Sequence, residues 1–91
     1  MAILVDTVGI PNRGRVWYHM VSDTDIDELH RFARKIGLRR EWFQDDGGLP
    51  HYDIVGTKRA LAVKLGARSA APREVLHAAK ITSKELMPVY T

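Results

Sequence analysis

At 91 residues with no cysteine, the chain has the length of one small domain and excludes disulfides and thiolate metal sites. No apolar run approaches the roughly 18 residues of a membrane span, and the N-terminus lacks the charged and long apolar segments of a signal peptide, so the expectation is a soluble, cytoplasmic protein. The net charge of +3 is uneven: residues 57–91 carry seven basic and two acidic groups, a face able to meet a phosphate-bearing partner or simply a solvated helical surface.

Ala2-Ile3-Leu4-Val5 is apolar, β-branched and too short for a helix, which predicts a strand buried on both faces. Asp6 closes it, at the carboxyl end of a strand where open α/β sheets bind ligands, or else it opens the turn with Thr7. Gly9, Pro11, Asn12 and Gly14 predict a loop carrying Arg13 and Arg15. Val16–Val21 is either an extended segment, with Trp17, His19 and Val21 on one side, or a helical turn; six residues do not separate the two periods. His19 stands in this apolar run either as a hydrogen-bonded structural histidine or as an acid–base or metal group.

A helix follows. Ser22, Asp23, Thr24 and Asp25 are all good N-caps and Glu28 stands where a capping box places it. Ile26, Leu29, Phe32, Ala33 and Ile36 form the apolar stripe, Arg31, Arg34 and Lys35 favour the last turn, and Gly37 is the expected left-handed terminator. Leu38–Gln44 reads as a connector in which Trp42 or Phe43 plugs the edge of the core, and Asp45–Pro50 as an acidic loop. His51–Val55 reads as a strand with His51, Asp53 and Val55 on one face and Tyr52 and Ile54 on the other. His51 and Asp53 would then be about 7 Å apart at Cα and need a third group to unite them.

Thr57 caps a second predicted helix, Lys58–Leu65, burying Leu61 and Leu65, and Gly66 ends it. Ala67–Ala70 fits a third strand. Pro72 starts a third helix to about Lys80, buried through Val75, Leu76 and Ala79, with His77 outside. Residues 81–91 read as a C-terminal tail in which Val89 and Tyr90 dock on the body or on a neighbour, and a chain this small would gain from forming a homodimer. The β-α-β-α-β-α order predicts a single α/β domain over residues 1–91, of two or three layers, with a short, mostly parallel sheet.

With those segments in hand, the chain resembles a family of small bacterial and phage proteins catalogued as domain of unknown function 4031. The resemblance runs from Ile3 to about Leu76. It rests on the strand ending in Asp6, on Gly14–Asp23, on Glu28–Ala33, on His51-Tyr52-Asp53-Ile54 and on Gly66-Ala67. The chain departs from the family in Val8-Gly9-Ile10, in a longer acidic loop through Gly48, and in Ala70-Ala71-Pro72 ahead of the last helix. The resemblance implies where the site lies and a bacterial or phage setting, but no activity.

Two polar segments and one strand end therefore supply the candidates. His19, His51 and Asp53 are the expected catalytic groups. Arg15, Trp17, Ser22, Tyr52 and Arg59 are the expected ligand-binding groups, and Asp6 and Asp23, together with Asp53 and with His19 or His51, would hold magnesium or manganese through hard carboxylate oxygens. The expected function is action on, or binding of, a nucleotide-like or other phosphate-containing ligand. The alternative is a module that sequesters a ligand or contacts a protein without turnover, as a phage accessory protein would. The basic groups are not interleaved with aromatics, so nucleic acid is the less expected partner, and no membrane partner is expected.

Overall fold

The computed structural model describes residues 2–86. In it the chain forms β1 (Ile3–Asp6), β2 (Ile10–Asn12), β3 (Arg15–Ser22), α1 (Ile26–Lys35), β4 (Phe43–Gln44), β5 (His51–Val55), α2 (Gly56–Lys64), β6 (Arg68–Ala70) and α3 (Pro72–Thr82), with short 3-10 turns at Arg40–Trp42, Asp46–Gly48 and Ser83–Leu86. The sheet order is β4-β5-β3-β1-β6, with β2 paired to β3 beside β1. The α/β class and the alternating order agree with the sequence, but the sheet is mixed rather than mostly parallel. Among the described residues only β1–β6 is parallel, while β1–β3, β2–β3, β3–β5 and β4–β5 are antiparallel. The reason is a hairpin the glycines and proline concealed. Residues 10–12 are a strand, and the turn at Arg13 and Gly14, both with positive φ, returns the chain as β3.

That hairpin is interrupted where it matters. From Val5 to Ile10 the chain takes five steps, while its partner takes three from Met20 to Trp17, so two extra residues bulge out after Asp6. Such a bulge re-aims side chains. Gly9 belongs here because the bulge folds close to β3: a Cβ on it would collide with Val16 Cγ1 and lie 2.9 Å from Tyr18 Cζ.

Three layers result. On one face Ile3, Val5, Met20, Tyr52 and Ile54 pack against Leu29, Ala33 and Ile36 of α1 and its terminus and Ala62 of α2. On the other, Leu4, Val21 and Ala70 meet Val75, Ala78 and Ala79 of α3. The first strand is thus buried on both sides, as its apolar run predicts. Because α3 covers only the Leu4–Val21 end, the second face stays partly open from His19 to Trp17.

Helix α1 begins where Asp25 Oδ1 accepts the Glu28 N–H at 2.7 Å. It ends in a Schellman turn: Gly37 has φ +84, Leu38 N–H donates to Ala33 O, and the Leu38 side chain enters the core. The expected reciprocal capping box is absent, since Glu28 accepts instead from Ser22 Oγ at 2.6 Å. Thr57 lies inside α2, whose N-cap is Val55 without a side-chain bond, and Leu65 and Leu76 are 41% and 44% exposed rather than buried. Phe43 is the aromatic that packs on the core, Trp42 being exposed. Val89 and Tyr90 lie outside the described residues, and no helix among the described residues is long and apolar enough to cross a membrane.

The first face also carries a titratable contact, His30 Nδ1 to the buried Tyr52 hydroxyl at 2.8 Å. Burial, then the Arg40 charge, hold His30 below its ordinary 6.5, with Asp27 opposing. Burial raises Tyr52, so the neutral imidazole accepts from the phenol. A histidine depressed on folding lets the unfolded chain take up the proton first. Its contribution to stability is complete above 6.5 and is lost as pH falls from there through the lower folded value. Urea midpoints should therefore drop between pH 7 and 5, and His30→Gln, which keeps an acceptor but cannot titrate, should flatten that drop; an unchanged slope would remove His30 from the account.

Candidate functional site

The break after Asp6 builds the site. Opposite it, the His19 N–H would have no ladder partner, and the Asp6 side chain supplies one: Oδ1 accepts that N–H at 3.0 Å, while Oδ2 lies 2.7 Å from His19 Nδ1. Asp6 is buried, its side chain 4% exposed against 38% for His19. A carboxylate only accepts, so Nδ1 carries the proton and donates it, and in the neutral ring Nε2 is the nitrogen with the free lone pair.

Strand β5 brings the second half. The register sets His19 against Asp53, on the face that period two assigns to His51 and Asp53 together. His51 Nδ1 is 2.7 Å from Leu49 O. A carbonyl only accepts, so Nδ1 carries the proton and Nε2 is again the free nitrogen. Asp53 Oδ2 accepts from Gln44 Nε2 at 2.7 Å, which leaves Oδ1 turned to the histidines. His51 Nε2 and His19 Nε2 stand 3.6 and 3.8 Å from that oxygen. These separations exceed a hydrogen bond. They are slightly wider than the about 3.3 Å between ligands around a tetrahedral ion with bonds near 2.05 Å. One donor atom from each of the three residues lies within 4.8 Å of the other two, and the ring centroids are 5.5 Å apart.

The third group that unites His51 with Asp53 is thus His19. Three donor atoms lie close together, and each residue is hydrogen-bonded through its other polar atom to a separate partner: Asp6, Leu49 O and Gln44. Metal-binding histidines characteristically donate their other N–H in this way.

The other candidates fall elsewhere. Asp6 lies beside this cluster, but its carboxylate is committed to His19 and positions that ring instead of standing among the three grouped donor atoms. Asp23 is four residues beyond His19, just past the end of β3, about 13 Å at the strand rise. There its Oδ1 accepts from Ala2 N–H and Thr24 Oγ1, each at 2.8 Å. Burial would raise its pKa, but those bonds and the N-terminal charge together hold it below the usual carboxylate value. The Asp6–Asp23 pairing is therefore not formed. Ser22 is buried and its hydroxyl serves the start of α1, accepting from the Thr24 and Asp25 N–H groups and donating to Glu28. Tyr52 is buried on the opposite face beneath His30, where no ligand of this site could stack on it. Arg59 donates through Nε to Asp6 O at 2.8 Å and through its terminal nitrogen to Ser69 Oγ at 2.6 Å, and lies over the Tyr18 ring, so it braces the strand end.

Arg15 and Trp17 remain beside the site. They line an open cleft of about 740 Å³ with Arg13, Trp42, Gln44, Lys58, His19 and Asp53. The Trp17 indole N–H donates to Asn12 O at 3.2 Å, which fixes the ring. Gln44 and Arg13 escaped the sequence reading: Gln44 is recognisable only once β4 pairs with β5, and Arg13 looked like any loop cation.

Comparison with known proteins adds a family and no chemistry. The model of a family described as a protein of unknown function (DUF4031) matches residues 3–82. No curated protein and no solved structure matches the chain.

Proposed function

The chain belongs to the DUF4031 family, and because membership carries no activity with it, we propose from the donor set that His19, His51 and Asp53 hold one divalent first-row metal ion, which the protein uses on a phosphate-containing, nucleotide-like ligand. The observation that carries this reading is the pairing of three converging donors with three separate supports behind them. Two imidazoles and one carboxylate leave coordination positions open, as catalytic sites require. Nitrogen donors favour zinc, with iron(II) next, over the magnesium or manganese expected from carboxylate oxygens.

Bound there, the ion would polarise a phosphoryl oxygen and acidify a coordinated water. The protein's own part is to keep each ring in one tautomer through Asp6 and Leu49 O, to aim Asp53 through Gln44, and to receive the ligand. Arg13 and Arg15, which make no salt bridge among the described residues, are placed for the phosphate. The fixed Trp17 ring offers a face for a base. A metal-free reading is favoured by one contact, the 2.7 Å Asp6–His19 pair, which would make His19 Nε2 a general base.

Calorimetric titration of metal-free protein with zinc and with manganese, followed by assays on bis(p-nitrophenyl) phosphate and a nucleoside triphosphate, separates the readings. One ion per chain with product release is expected. Binding without product would make the protein a sequestering module, turnover that survives a chelator would make His19 the base, and no uptake at millimolar metal would end the metal reading.

A further inference from the structure

His19 and Ile10 also line a second cavity. The loop after Asp6, the segment before β5 and the exposed part of α3 enclose about 350 Å³ lined by Val8, Ile10, Leu49, Val75 and Leu76, and the polar groups on its wall are Asp6, His19 and His51. That volume lies in the range of small-ligand pockets. At its mouth Val8, Ile10 and Leu76 are 59%, 53% and 44% exposed. Neither core cluster includes them. Isolated exposed apolar side chains need no explanation, but three gathered around a cavity that reaches two metal-ligand rings do.

We propose that this cavity receives the apolar portion of the ligand. The inference rests on the metal reading and deepens it. The cleft offers cations and a tryptophan ring and the cavity offers hydrocarbon, with His19 and Ile10 lining both. The matching substrate class is an ester, most simply a phosphodiester, that joins a polar, nucleotide-like part to an alkyl or aryl group across the three donors. Hydrolysis of such a diester breaks one P–O bond. Water supplies the new oxygen on phosphorus and the proton on the departing alcohol, so no co-reactant is needed.

The test uses zinc-loaded full chain and straight-chain hydroxamates from acetohydroxamate to octanohydroxamate, whose head group occupies open metal positions while the tail samples the cavity. Affinity should rise with chain length, by up to about fourfold per buried methylene. Leu76→Lys and Val8→Asp, both at exposed positions, should reduce the whole gain to under about threefold, below the worth of one methylene, and leave zinc uptake and acetohydroxamate binding unchanged. A flat series on protein that takes up zinc overturns the cavity assignment and leaves the metal reading standing, as does a gain that both variants retain. Failure to take up zinc overturns both.

Discussion

Zinc at a hundredfold excess over its Kd should raise the Tm of this protein by roughly 10–20 °C, and His51→Ala or Asp53→Ala should abolish most of the rise. Binding to the folded state alone contributes about 2.7 kcal/mol at that excess, and domains of this size gain about 4–8 °C per kcal/mol. The donors lie on β3 and β5, so unfolding separates them and the ion has no comparable site on the unfolded chain. Without metal the Asp53 variant should melt close to the native protein, because its side chain is partly exposed and its one short hydrogen bond is to Gln44. Thermal scans of both variants with and without zinc measure this directly. An undiminished rise in the variants would place the ion away from these three residues.

Asp6 should divide into two effects by substitution. Asp6→Asn keeps an oxygen for the His19 N–H, so stability should fall little. Its amide then presents N–H to Nδ1, which favours the tautomer with the proton on Nε2 and denies the metal that nitrogen. Loss of such a supporting carboxylate typically costs about 10–100-fold in metal affinity. Asp6→Ala removes both acceptors, strands a backbone N–H at the break in the hairpin, and should cost about 1–3 kcal/mol of stability as well. Zinc titration and urea unfolding on both variants separate positioning from packing. Equal affinities for native protein and Asp6→Asn would mean that Asp6 only holds the fold.

Which parts were legible in the sequence follows from the range of the forces involved. Helix α1 was readable because its cap at Asp25, its stripe from Ile26 to Ile36 and its terminator Gly37 all act within a few residues. The common side of His51 and Asp53 was readable because alternation is local to a strand. The pairing partners were not: that His19 lies opposite Asp53, or that Gln44 reaches it, depends on register between segments far apart in the chain. The strand at Ile10–Asn12 hid behind Gly9 and Pro11, and with it the antiparallel return that makes the sheet mixed. Tyr52 shares its segment with His51 and Asp53, which suggests the same role for it, yet the same alternation turns it to the opposite face. Asp23 looked like a second Asp6, but it lies at the other end of β1, beside Ala2.

The two residues that loop out after Asp6 bear on how the protein could change over generations. A chain that lost both would close into an unbroken hairpin, with a main-chain acceptor for His19 N–H and one more stretch of regular ladder. Selection for stability alone would favour that shorter chain, and it would release Asp6 from the imidazole. The irregular stretch is thus a small standing debt in stability, kept wherever the site is used and open to erasure wherever it falls idle.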